Sequence, residues 1–298
     1  MAWTDRLPTS RGAPVVSIDT AENFLWLNAR LLERRRFDHL FRGGDPRRVV
    51  DALRPYRNAD GGFGHGLEPD LRGPDSQPVP VDLALFVLHE AGDRSSDMLP
   101  GVLDWLTEVS GPDGGVPFVL PSVTAYPRGP WWQPSPGNPS GLNPTAALVA
   151  SLYRLGIHHP WVDAATDFCW VTIEGLTETS PYEMRAMLAF LEEVADRARV
   201  DEVWERIGQM MLPHIAMEPG AKGDVHPPLV FAPRPDSLAR RLFSDDLMAA
   251  HLDALEAAQQ PDGGWGFGFE SWTPITTPEW RGWVTVESLV TLRDNGRL

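Results

Sequence analysis

Cysteine is nearly absent. Cys169 is the single one in 298 residues, so no intrachain disulfide can form and no cysteine-rich metal site can be built. This fits a reducing compartment. Long apolar runs are missing too: no stretch of ~18 apolar residues occurs, and no membrane span is expected. The opening segment MAWTDRLPTSRGAPVV lacks the continuous apolar core of a secretion signal, which makes the cytoplasm the expected location. Positive charge is in short supply, with 26 Lys and Arg against 41 Asp and Glu and a net charge of −15. Such a surface repels phosphate backbones and offers anionic lipid no basic patch, so nucleic acid is excluded as a partner. Alternating polar and apolar segments bounded by hairpin turns are also lacking, which argues against strands.

What is present points to helices. Apolar residues make up 42% and charged residues 22% of the chain, an ordinary globular balance that argues against disorder. Segments 81–91, 145–155, 182–195 and 284–292 are mostly apolar, as helices enclosed on most sides must be. Segments 46–56, 98–109, 199–216 and 244–259 are amphipathic, and 20–36 reads as one helix with a broad apolar face. Interleaving of the two kinds is what two concentric layers require. The chain also carries 12 Trp against only 4 Tyr. Trp131, Trp132, Trp265, Trp272, Trp280 and Trp283 stand beside Pro and Gly, where they either line a pocket or close the core from outside.

An internal repeat organises this pattern. The segments ALRPYRNADGGFGHG (52–66), WLTEVSGPDGGVPF (105–118) and LEAAQQPDGGWGFG (255–268) each run from an amphipathic helix through Asp-Gly-Gly to an aromatic. The intervals of 53 and 149 residues fit one and three units of a period of about 50. In each, Gly can take the left-handed conformation that ends a helix, and Asp completes a tight turn. Four Pro- and Gly-rich loops, 57–80, 110–143, 217–237 and 260–282, are long enough to suggest function. In a ring of helical hairpins most of them are expected to frame one mouth.

The phrase QQPDGGWGF (259–267) resembles the QW repeat of squalene and oxidosqualene cyclases, and NADGGFG is a degenerate copy with Phe63 in place of Trp. The same turn recurs in protein prenyltransferase β subunits and in the thioester domain of complement-like proteins. The resemblance implies an all-α fold, an (α/α)6 toroid or barrel over residues 16–298, with 1–15 as an N-terminal extension. It also implies an enzyme of the terpene-cyclase kind, without cofactor, acting on an isoprenoid or other apolar small molecule by acid-initiated cyclisation. The chain departs from the pattern in two respects. Class II cyclases use Asp-x-Asp-Asp, and the nearest match here, Phe243-Ser244-Asp245-Asp246, lacks the first Asp and reads as a helix N-cap. The chain is also about half a two-domain cyclase, so a homodimer or a partner barrel enters as a possible partner. Prenyltransferases hold zinc with Asp, Cys and His. Asp167 and Cys169 have the Asp-x-Cys spacing, but nothing fixes a third ligand among His214, His226 and His251, and no metal is expected.

Candidate catalytic residues are acids near the mouth. The loop GHGLEPDLRGPDSQPVPVD offers His65, Glu68, Asp70, Asp75 and Asp82. A carboxylic acid held in an apolar barrel has a raised pKa and can donate a proton. Asp70 and Asp75 lead, with Asp82 and Glu183 as further acids that either serve chemistry or favour the first turn of a helix. Ligand-binding candidates are His65, Trp131, Trp132, Arg185, Trp272, Trp280, Arg281 and Trp283, whose indole and guanidinium groups can stack a ligand or stabilise a cation. The same barrel also hosts carbohydrate-active enzymes, which need two carboxylates set apart across the bond, and non-catalytic scaffolds. The fold alone does not choose among them.

Overall fold

A computed structural model describes residues 16–298, and the extension expected over 1–15 lies outside them. The described residues form α-helices joined by loops and short 3-10 turns, with three isolated bridges and no strand. The helices are α1 (Ile18–Asn28), α2 (Leu31–Arg42), α3 (Arg47–Leu53), α4 (Pro78–Glu90), α5 (Leu99–Val109), α6 (Leu142–Leu155), α7 (Pro160–Gly175), α8 (Pro181–Glu193), α9 (Arg197–Met211), α10 (Pro228–Phe231), α11 (Asp245–Ala257) and α12 (Thr276–Asp294).

Two layers emerge from burial. In α6 ten of fourteen residues are buried, which leaves that helix enclosed on most sides. In α9 the buried Val200, Val203, Trp204, Ile207 and Met211 fall at three- and four-residue spacings, the stripe of a helix with one face to water. Even-numbered helices pack on one another: α4 on α6, α6 on α8, α8 on α10, and α12 on α2. Arg36 of α2 ties to Glu90 of α4 at 2.6 Å and to Glu287 of α12 at 2.5 Å. Odd-numbered helices lie outside this series, so each outer helix is followed by an inner one.

The three Asp-Gly-Gly corners are built alike. Gly61, Gly114 and Gly263 take φ of +95°, +85° and +95°. The Asp carboxylate before each accepts from the second Gly N–H, at 2.9 Å for Asp60, 3.2 Å for Asp113 and 3.1 Å for Asp262. Each corner docks on an outer helix of another unit. A Cβ on Gly61 would meet the Gly101 carbonyl of α5, one on Gly114 the Ala164 backbone of α7, and one on Gly263 the Thr20 carbonyl of α1 at 2.0 Å. The last corner thus treats α1 as its next neighbour, the relation a ring of hairpins requires. Gln259 completes the seam, accepting from Ser17 N–H and donating to Ser17 O, both at 2.9 Å.

Several sequence expectations change. Segment 20–36 is two helices: Ala29 is extended (ψ 158°), and the Asn28 side chain donates to the Phe24 carbonyl at 2.9 Å. The chain can therefore turn from the outer layer to the inner one. Helix α7 has no counterpart in the periodic segments; His159 caps it and Pro160 starts it. The last loop is shorter than 260–282, because α12 begins at Thr276 with Pro278 and Glu279 in its first turn. Trp280, Arg281 and Trp283 consequently sit on a helix. Ser244 caps α11 by accepting from Leu247 N–H at 3.3 Å, so Asp245 and Asp246 open that helix.

Candidate functional site

Alternation of layers sorts the connections. Outer-to-inner connections then fall at one end and inner-to-outer ones at the other. Loops 57–80, 110–143 and 260–282 are of the first kind, whereas α10 (Pro228–Phe231) splits the loop expected over 217–237 into a first-kind stretch before it and a second-kind stretch after it. The first-kind loops touch one another accordingly. Gly129 N–H donates to the Asp70 carbonyl at 2.9 Å and Arg72 N–H to Pro127 O at 3.2 Å. Trp280 and Glu279 of α12 reach back to Asp70 and Arg72. A Cβ on Gly268 would strike the Gly223 carbonyl. The first, second and last of these loops and the 217–227 stretch therefore gather at one mouth, while 232–237 leads from α10 to α11 at the other end.

Two carboxyls are buried in that mouth. Glu68 is 3% and Asp70 2% exposed. Glu68 Oε1 accepts from the Asp70 N–H at 3.3 Å. Asp70 Oδ2 accepts from Trp280 Nε1 at 2.9 Å, while buried Asp70 Oδ1 has no partner among the described residues. Burial, with the Asp70 charge beside it, pushes the Glu68 carboxyl up to about 8. Burial also raises Asp70, against the indole groups of Trp280 and Trp272 and the Arg72 charge. Trp272 Nε1 itself is buried without a bond of good geometry.

The frame around this pair is ionic and aromatic. Arg30, in the turn between α1 and α2, donates to the carbonyls of Gly66 at 2.9 Å and Leu67 at 3.0 Å, which fixes the chain just before Glu68. Its charge is committed to Glu33 at 2.6 Å. Arg72 is likewise committed to Glu279 at 2.5 Å. Neither cation is therefore free to pair with Glu68. Phe269 stands edge-on to Trp280 at 5.2 Å, and Tyr56 lies under Arg30 at 5.9 Å.

Deeper in the inner layer lies a second group. Asp82 accepts from Ser151 Oγ of α6 at 3.1 Å, and burial pushes it up to about 6 against that bond and the charges of Arg154 and Arg185. Arg185 of α8 also opposes the rise that burial causes in Glu287. Trp283 stacks over the Arg36 guanidinium at 4.1 Å and approaches Phe86 at 5.7 Å. One nitrogen of Arg36, Nη1, is buried and unpartnered among the described residues.

Other candidates fall elsewhere. Asp75 borders a void of about 10 Å³ with Gly64, Gln77 and Tyr126, room for one water. Glu183 accepts from Thr179 Oγ1 at 3.0 Å, and its N–H is capped by Ser180, so it secures the start of α8. His65 is exposed and bonds Asn58 at 2.8 Å. Trp131 is exposed, whereas Trp132 is buried and stacked on Phe118 at 4.8 Å in a satellite core with Leu71, Val119 and Val123. Arg281 grips Asp262 through two bonds of 2.8 Å and lies over Phe24 at 4.3 Å, which ties the last corner to α1. Cys169 is a buried core residue, and no group of three metal-binding side chains occurs among the described residues.

Glu68 is the buried carboxyl that the leading candidates omit. No distinct signal marks it in the sequence: Leu67-Glu68-Pro69 is one of several acidic stretches in the same loop, and an unpaired Glu is ordinarily exposed.

No family model and no curated protein matches the chain. In fold it is similar to the crystal structure of a protein from Actinoplanes, with a TM-score of 0.57 and 16% identity over 95% of this chain and 92% of that one.

Proposed function

We propose that the protein is an enzyme that starts a reaction of an isoprenoid or other apolar small molecule by protonating it, with Glu68 as the acid and Asp70 as its partner. The observation that supports this is a buried pair of carboxyls, one of them bonded by the Trp280 indole N–H, with the two nearby cations, Arg30 and Arg72, already engaged by other acids. A neutral carboxyl can transfer its proton to an alkene or epoxide. With Asp70 ionised the pair holds a single proton, on Glu68; it passes to the substrate, and the proton lost when the substrate cation is quenched restores Glu68 for the next turnover. Faces of Trp280, Trp272 and Phe269 would stabilise positive charge as it develops in the substrate. Asp82, in the inner layer, would take up that proton at the end of such a path.

The test is turnover in deuterated water. Linear isoprenoid alcohols, diphosphates and epoxides are incubated with the protein and the products analysed by mass spectrometry. From alkene substrates, product carrying one deuterium at a former alkene carbon is expected. An epoxide takes the proton on oxygen, where the label exchanges, so ring-opened product is the readout there. In both cases the rate falls about 10²–10⁴-fold in Glu68→Gln. Conversion that proceeds equally in Glu68→Gln, or product from an alkene without deuterium on carbon, would contradict the assignment.

A further inference from the structure

A cleft of about 390 Å³ opens at the end opposite the mouth, where α8 hands over to α9 and α10 to α11. Arg197, Arg234, Arg240 and Arg241 line it. This is a concentration of positive charge on a molecule whose net charge is −15. The acids in the cleft are already engaged. Glu192 accepts from Leu238 N–H at 2.8 Å and from Arg234 Nη2 at 2.9 Å. Glu193 is held by Arg154, outside the cleft, at 2.8 Å. Asp236 pairs with Arg234 Nε at 3.1 Å, and Arg241 pairs with Asp201 at 2.9 Å.

Two arginines remain without a carboxylate among the described residues. Arg197 Nη1 donates to main-chain carbonyls, that of Leu191 at 2.6 Å. Arg240 Nε donates to the Arg234 carbonyl at 3.2 Å, and its Nη2 to the Asn295 side chain. These contacts orient both guanidinium groups and leave other N–H donors of each unused. Burial also works against the Arg240 charge, a cost the Asp245 charge nearby offsets only in part, so an anion beside the guanidinium would relieve the rest. Planar forks of this kind match the oxygens of a tetrahedral oxyanion, and the volume accommodates one with room to spare.

We propose that this cleft binds a phosphate-class oxyanion, either free or as the phosphoryl group of a larger ligand, through Arg197 and Arg240 with Arg241 at the rim. Binding here would brace the α8–α9 and α10–α11 connections together. The site is independent of the chemistry assigned to Glu68.

Isothermal titration of the full chain with inorganic phosphate at constant ionic strength tests this. Saturable one-site heat is expected, with affinity weakened at least about tenfold in Arg240→Gln and similarly in Arg241→Glu, while Glu68→Gln leaves it unchanged. Arg241 is exposed and its one ion pair, with Asp201, lies at the surface, so Arg241→Glu, its fold checked by circular dichroism, carries the test if Arg240→Gln does not fold. A parallel titration with diphosphate separates the sources: equal affinity indicates free phosphate, and tighter binding a phosphoryl group of a larger ligand. Absence of saturable heat, or equal affinity in Arg241→Glu and the parent, would overturn the proposal.

Discussion

At the residue scale the account turns on how burial sets protonation. Glu68, pushed up to about 8, is neutral in the folded protein at pH values where it is ionised in the unfolded chain. The folded state then holds more protons across that window, so stability falls as pH rises from the ordinary carboxylate range toward 8. Removing the titration removes the loss. Glu68→Gln is expected to melt at a higher temperature than the parent near pH 8 and equally near about pH 4, the gap growing by at most ~1.4 kcal/mol for each pH step of one. Thermal melts of both proteins across that range check this; a gap of the opposite sign would show that Glu68 is ionised in place. Arg36 gives a second prediction at this scale. It is fully buried and satisfies Glu90 and Glu287 together. Arg36→Met leaves two acids facing each other and is expected to cost about 3–5 kcal/mol in urea unfolding. Little of this is legible in the sequence. Acids in one loop mark the neighbourhood and include Asp70, but which carboxyl is neutral depends on Arg30 and Arg72 being taken by Glu33 and Glu279. The Arg72–Glu279 pair joins positions far apart in the chain.

At the element scale the repeat is legible because its physics is local. Asp-Gly-Gly after an amphipathic helix needs a positive φ and an aspartate–amide bond, and all three copies show both. Helix α7 is hidden because its apolar positions are diluted by Thr, Asp and Trp. The break at Ala29 is hidden because no Gly or Pro announces it. The corners also supply a graded test. At Gly263 a Cβ would lie 2.0 Å from the Thr20 carbonyl at φ +95°, whereas at Gly296, φ +70°, nothing stands within 4 Å. Gly263→Ala is expected to destabilise by more than about 2 kcal/mol, and Gly296→Ala by no more than ~1 kcal/mol. Denaturant midpoints of the two variants measure the difference. Equal losses would mean that the corner does not press on α1.

At the scale of the whole molecule, the packing of α12 on α1 and α2 and the Gln259–Ser17 link join the end of the helical series to its start. An open array unravels from its ends; this one is expected to unfold in a single cooperative step. Hydrogen exchange should report equal protection in α1, α6 and α12, and early loss in α1 or α12 alone would deny closure. The two-layer order is readable from alternating apolar and amphipathic segments, and it carries the gathering of long loops with it. Closure rests on contacts between residues ~240 apart, which no local pattern encodes. What the arrangement accomplishes is to hold an acid neutral at the mouth. The most direct measurement of that is a carbon-13 NMR titration of the glutamate carboxyls, with the Glu68 signal identified by its loss in Glu68→Gln. A midpoint of about 8 is expected for Glu68; a midpoint in the ordinary carboxylate range, near about 4, would contradict the account.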